Sequence, residues 1–424
     1  MTAALIALNR RTFASLKHRN YRLFFMGQAI SVVGTWMQRV AQAWLVLQLT
    51  HSAVAVGILA LAQFMPFTIF GLFAGVVVDR LDARRLVIAT QTAQMALSSA
   101  LAGIALAGLV QAWHVYVIAA LLGLTQVLDA PGRQALTYGM VGPVELPNAI
   151  ALNSSLFNGA RIFGPALGGV LIAAVGPSLA FAANAGSYLA VLASLLAMRG
   201  AELHVVDRGE RSPFLRGVRE GLAYVRHSRR AAVVLSLVGL VSLFSVNFNV
   251  LLPVFAKRTL DTGADTYGLL ASVFGAGALI GALATAALGR ASIKLLLLGT
   301  AGYGASQLLL APQRSLGLSL AVLFLAGICF STWSSNANTL LQLEAPDHLR
   351  GRVIGLFYFG FAGTGSLGGV LAGWLAAAGG TTLAFAVAGV VPIALALAAA
   401  PVVWPRRGRL TSALAAGAGR DTGA

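Results

Sequence analysis

The chain has 424 residues, of which 58% are hydrophobic and 10% charged, and its mean hydropathy is +0.81. Soluble proteins carry about 25% charged residues, so this composition cannot build a water-facing surface and points to a polytopic membrane protein. The formal net charge of +17 reads as basic loops on one membrane face rather than as a nucleic-acid surface, and the single cysteine, Cys329, excludes an intrachain disulfide.

Residues 1–22 form a basic segment with Arg10, Arg11, Lys17, Arg19 and Arg22. The patch 3–8 is too short for a cleavable signal, so the first helix is expected to direct insertion. Apolar runs then predict helix 1 over 23–49, helix 2 over 54–78, helix 3 over 86–110 and helix 4 over 114–132. A loop carrying Arg133 and Glu145 leads to helix 5 over 147–175 and helix 6 over 178–198. The polar stretch 199–230 contains a candidate amphipathic helix, 213–227, expected to lie on the inner membrane surface. Helices 7 to 12 follow over 231–255, 266–288, 293–311, 316–341, 353–378 and 382–403, before a basic tail, 404–424. The chain thus divides into 1–22, a bundle over 23–198, a linker over 199–230, a second bundle over 231–403, and the tail.

With both termini inside, only Lys257, Arg258 and Arg314 of the 30 Lys and Arg fall outside; Arg39 and Arg161 fall within helices. That asymmetry supports an even number of spans with cytoplasmic ends. The chain also repeats itself: Leu-Gly-Gly-Val-Leu occurs at 167–171 and at 367–371, each time in the fifth helix of a six-helix half. Such repeats mark secondary transporters, whose substrate site lies between the halves near mid-membrane.

Polar residues concentrate on a few faces. Helix 1 bears Gln28, Ser31, Thr35, Gln38, Arg39 and Gln42 at helical spacing. Helix 7 carries Ser242, Ser245 and Asn249 before Pro253; helix 10 carries Ser331, Ser335 and Asn338; helix 4 offers Gln126 and Asp129. These faces either line a polar pathway or join helices through hydrogen bonds. Arg39 suits an anionic substrate group or a barrier to cations, and also suits a structural partner to carbonyls. Arg161, with Asn158 one turn before it, stands beside Gly164, Pro165, Gly168 and Gly169, which allow close packing and a bend against helix 8, where Gly277 and Gly281 offer a small face. Asp129 near Arg133 reads as a gate or charge relay, or as a proton site. Asp79, Arg80, Arg84 and Arg85 form a charged loop between helices 2 and 3 that can latch the inner side.

These motifs resemble the major facilitator superfamily over nearly the full chain. Gly75–Arg85 resembles its loop signature Gly-x-x-x-Asp-Arg-x-Gly-Arg-Arg/Lys, with Asp82 at the second glycine and Ala83 at one basic position. Gly164-Pro165-Ala-Leu-Gly168-Gly169 resembles the fifth-helix motif of its exporters, with Ala160 where a further glycine is usual. The stretches Asn20-Tyr-Arg-Leu-Phe-Phe, Gly34-Thr-Trp-Met-Gln, Asp129-Ala-Pro-Gly-Arg-Gln and Leu146-Pro-Asn-Ala-Ile-Ala-Leu-Asn-Ser resemble the enterobactin-exporter-like branch. The resemblance implies an all-α fold of twelve transmembrane helices in two pseudo-symmetric six-helix bundles, with helices 1, 4, 7 and 10 around the cavity. It implies a monomeric exporter of siderophore-like or drug-like molecules in the bacterial inner membrane, driven by protons through alternating access, with no cofactor, metal or nucleic acid. An uptake symporter and a non-transporting sensor or scaffold are the alternatives. A membrane enzyme is not expected, because no metal-spaced His pair, Walker loop or nucleophile with a base is visible.

Overall fold

The computed structural model describes residues 13–78, 80–204, 214–346 and 349–403. Among these residues, eight helices are long and apolar enough to cross a membrane. Two of the eight hold two crossings each. Ala112–Val175 breaks at Gly142 (φ +69°), and Arg350–Val402 breaks at Gly379 and Gly380 (φ +68° at Gly380). Two further helices of spanning length, Arg19–Thr50 and Ala83–Leu106, are excluded from that set by their polar faces. The arrangement agrees with twelve spans: α1 Arg19–Thr50, α2 Ala53–Val78, α3 Ala83–Leu106, α4 112–141, α5 143–175, α6 Pro177–Leu196, α7 Arg229–Thr259, α8 Ala264–Ala287, α9 Ile293–Leu310, α10 Leu316–Glu344, α11 350–378 and α12 381–403.

Helix starts follow local chemistry. The Asp82 carboxylate accepts from the Arg85 backbone N–H at 2.8 Å and caps α3; Ser228 and Ser292 cap α7 and α9 in the same way. Residues 133–146, expected as a loop, are helical almost throughout. Only Gly142 leaves helical geometry, and Pro143 starts α5 where no N–H donor is needed. The helical extension is held because Leu136, Met140 and Val141 bury themselves against Tyr21, Ala149 and Val191.

Span α7 is discontinuous. Its helix stops at Ser245, restarts at Phe248 and ends in a π-turn, Phe255–Thr259. Pro253 cannot donate to the carbonyl one turn back, which weakens the helix just beyond the break. The freed groups find partners: Asn247 Nδ2 donates to the Leu243 carbonyl at 3.1 Å, and the Ser245 carbonyl accepts from Tyr303 (2.9 Å) and Gln307 (3.2 Å).

The two bundles meet through glycines. A Cβ on Gly168 would lie 3.2 Å from the Met37 Cα of α1, and one on Gly169 would lie 2.9 Å from the Gly268 Cα of α8. In the second half, a Cβ on Gly368 would lie 2.1 Å from the Leu243 carbonyl of α7, and Gly57 of α2 would collide with the Gly369 carbonyl at 2.5 Å. The repeated Gly-Gly pair therefore plays one structural role twice: its first glycine packs within its own bundle, its second across to the other. The expected partner face on α8 is corrected. Gly277 and Gly281 pack on Phe324 and Ile328 of α10, inside the second bundle, whereas Gly268, Ser272 and Gly275 meet α5.

One membrane face is basic. Here Arg84 Nε donates to the Leu195 carbonyl, Asn20 and Arg199 exchange two hydrogen bonds at 3.0 Å, and Lys17 and His18 pair with Glu145. The linker helix, Phe214–His227, packs on the second bundle: Tyr224 donates to the Glu344 carbonyl (2.6 Å) and Glu220 pairs with Arg352. Residues 214–218 of its expected apolar face have no described side chains; Val225 is buried and Leu222 exposed.

The Lys17 hydrogen bond, aided by the charges of Lys17 and His18, holds the Glu145 carboxyl below its ordinary range. An acid lowered by folding stabilises above its ordinary pKa, and that contribution disappears as pH falls through the lowered value. A spin label at Phe13→Cys is therefore expected to stay immobile from neutral pH down to about pH 4 and to gain mobility below it. Glu145→Gln should mobilise the label already at pH 7, and pH-independent mobility in the parent protein would refute the docking role of this ion pair.

Candidate functional site

Three adjoining cavities form the candidate pathway. The first, about 100 Å³, lies between the bundles and is lined from α1, α2, α5, α7, α8 and α10, including Arg39, Arg161, Phe248 and Asn249. The second, about 320 Å³, lies against α1, α2, α3, α4, α6 and α11 and shares Arg39 and Gln63 with the first. The third, about 630 Å³, runs between α1, α4 and α5 towards the basic face and shares Ala130 with the second.

Aromatic rings hold both intramembrane arginines. The Arg39 guanidinium carbon stands 5.0 Å from the Trp36 ring centre and 5.9 Å from that of Phe64. Arg161 stands 5.9 Å from Trp36, 5.4 Å from Phe274 and 5.3 Å from Phe330. Among the described residues no carboxylate pairs with either. Each cation–π contact is worth about 0.5–2 kcal/mol, against about 2.5–3.5 kcal/mol or more to place the charge mid-membrane. The rings offset part of the cost, and the cavity must supply the rest.

The helix-1 stripe divides residue by residue. Gln38 accepts from Asn184 of α6 at 2.6 Å, Gln42 accepts from Gln63 of α2 at 3.0 Å, and Gln28 accepts from Arg133 at 2.9 Å. Thr35 donates to the Ser31 carbonyl. Thr35, Gln38, Arg39 and Gln42 all line the 320 Å³ cavity. Asn158 lines the largest cavity while bonding the Ser154 carbonyl, and Asn249 opens into the smallest.

Other expected pathway residues are not brought there. Ser245 is fully buried and donates to the Ala388 carbonyl of α12 at 2.7 Å, a carbonyl without a helical donor because the residue one turn on is Pro392. Ser335 and Asn338 line none of the three cavities; Asn338 accepts from Gln342 on its own helix. In the α2–α3 loop, Asp79 lies outside the described residues. Arg80 and Arg85 are exposed, and Arg84 ties α3 to the end of α6. Gly164 and Gly168 pack on α1, Gly169 packs on α8, and Pro165 lines the smallest cavity.

Asp129 is fully buried. Its Oδ1 accepts from Thr90 (2.8 Å) and Gln91 (2.9 Å) of α3, and Oδ2 lies 2.9 Å from Arg133 Nη2. Because α4 continues past residue 132, Arg133 sits one helical turn on and pairs directly. Arg133 also lies over Phe157 at 5.5 Å. The network joins α1, α3, α4 and α5 within the first bundle. Sequence reading missed the α3 half of it, although Thr90, Gln91, Gln94 and Ser98 recur at helical spacing; Asn184 and Tyr188 of α6 were missed as well.

Contacts across the bundles concentrate away from the basic face. Trp44 stacks on Tyr267 (6.2 Å, 19°), Arg258 donates to the His51 carbonyl, and Ser272 donates to the Ile162 carbonyl at 2.7 Å. The hydrogen bonds and ion pairs named above at the basic face do not join one bundle to the other.

Comparison with known proteins agrees with this architecture. Residues 10–412 match the family described as transmembrane secretion effector. The multidrug efflux pump Tap of Mycolicibacterium fortuitum is 30% identical over 83% of this chain and 88% of its own. The staphyloferrin A transporter of Staphylococcus aureus is 22% identical over 79% of this chain and 84% of its own. Among solved structures, a point mutant of the nucleoside transporter NupG superposes with a TM-score of 0.75 at 13% identity, covering 92% of this chain and 100% of that one. That likeness shows the fold; the family match and the relatives show a multi-pass membrane transporter of the major facilitator superfamily.

Removing one partner of a buried ion pair costs about 3–5 kcal/mol, because the other charge is left unpaired. Asp129→Asn should therefore lower the thermal stability of the purified protein by about 3 kcal/mol. Adding Arg133→Gln should recover most of that loss. Losses that simply add in the double variant would show that the two groups are uncoupled.

Proposed function

The chain belongs to the transmembrane secretion effector family, and from that premise we propose that it is a secondary active exporter of small molecules working by alternating access. The basic face is cytoplasmic, since Lys and Arg gather on it, and the membrane is the bacterial inner membrane. The protein works as a monomer, because one chain supplies both bundles and the cavity between them. The observation that carries this reading is the paired glycine seam. Gly169 against Gly268 and Gly57 against Gly369 close the bundles away from the basic face at two pseudo-symmetric places. Seams built from small residues let rigid bundles rock against each other without repacking bulky side chains.

Export is favoured by the efflux function in the name of Tap and by the Gly-Pro cluster of α5. Hydrophobic and siderophore-like compounds remain the substrate classes of this reading, the latter in keeping with the enterobactin-exporter-like stretches. Proton antiport is assigned to Asp129, the carboxylate buried within a span among the described residues.

Inside-out vesicles energised with a pH gradient should accumulate exported compounds, and collapsing the gradient should cut accumulation at least tenfold. Arg161→Ala, expressed to the same level, should lose transport. Accumulation indifferent to the gradient would refute proton coupling, and accumulation only in right-side-out vesicles would reverse the direction.

A further inference from the structure

We propose that the chamber around Trp36 is an organic-anion site, taking a carboxylate, phenolate or phosphate group carried on an aromatic or apolar body. The inference rests on the exporter reading and narrows its substrate. Arg39 and Arg161 face one indole, at 5.0 and 5.9 Å, so their charges lie within about 11 Å of each other. Both line the small chamber between the bundles. Like charges held this close in a poorly hydrated space repel, and rings alone do not neutralise them. The nearest buried acid in the network described above, Asp129, is already engaged by Arg133, Thr90 and Gln91. An anion entering the chamber that both guanidinium groups line offsets the repulsion and gains charge-assisted hydrogen bonds.

The cavities divide the ligand in two. The small chamber, about 100 Å³, fits a head group, and Arg39 and Gln63 connect it to the 320 Å³ cavity. Phe64, Phe67, Tyr358 and Phe361 line that larger space and suit an aromatic body. Gln42, buried in the same wall, uses one atom of its amide on Gln63 and leaves the other without a partner.

Two xanthene dyes of similar size and opposite charge give the test: fluorescein, an anion, and rhodamine 6G, a cation, titrated against the purified full chain by fluorescence anisotropy. Fluorescein should bind at least tenfold more tightly than rhodamine 6G. The Arg39→Gln/Arg161→Gln double variant should lose that preference, and Arg39→Lys/Arg161→Lys should keep most of it. Tighter binding of the cation, equal binding of the two dyes, no binding of either, or a preference unchanged in the double variant would overturn the proposal. If the double variant does not fold, the ratio for the parent protein decides alone. Energised vesicles separate the two readings: export of rhodamine 6G without fluorescein would leave the exporter standing and remove the anion site, whereas a failure to move any compound would remove the exporter reading itself.

Discussion

Two helices in a bilayer gain little by burying apolar surface against each other, because lipid is as apolar as leucine. Contact between the two halves of this protein must therefore come from backbones that approach closely enough for dispersion and weak polar contacts to act. Glycine provides that approach here. A Cβ at Gly57, Gly169 or Gly268 would lie within 2.4–2.6 Å of a carbonyl oxygen in the opposite bundle. The chamber, its closure away from the basic face and the placing of Arg161 beside Phe274 all depend on these seams staying narrow.

A second constraint acts on the polar groups. In hydrocarbon each donor and acceptor needs a partner, and most of those on α1 find one on α2, α4 or α6. What remains at the cavity wall is a pair of arginines caged by aromatic rings. The same rule explains the break in α7: its released carbonyl at Ser245 is met by Tyr303 and Gln307, so backbone irregularity is tolerated where protein surrounds it. The serine side chain is drawn away from the pathway by a second such carbonyl, that of Ala388 in α12, which Pro392 leaves without a helical donor.

Much of this was legible in the sequence. The apolar runs, the asymmetry of Lys and Arg and the duplicated Leu-Gly-Gly-Val-Leu led to a duplicated six-helix architecture, because span length and charge bias are set by the bilayer itself. The arginines were legible as oddities of charge. Three things were not. The helical continuation through 133–146 depends on tertiary burial of Leu136 and Met140, which local composition does not reveal. The partner of α5 on α8 was misread because Gly277 and Gly281 look like a packing motif and are one, but towards α10; only the bundle's geometry decides which face turns which way. The division of polar residues into glue and wall depends on what stands opposite each, so Gln38 and Arg39, neighbours in sequence, differ in role. The stretch Asn20-Tyr21, read as a family signature, turns out to fasten α1 to the chain near Arg199 and to the Ala149 carbonyl.

The central claim is that two rigid bundles rock about the glycine seams, opening one face as the other closes. Distances between paired spin labels test it most directly, with one pair at Leu109 and Arg314 on the face away from the basic one and another at Arg199 and Arg290 on the basic face. Replacing Gly57 with Leu wedges the seam at Gly369. The account predicts that this lengthens the Leu109–Arg314 distance and shortens the Arg199–Arg290 distance in the same sample. Distances that stay fixed, or that change in the same direction on both faces, would contradict it.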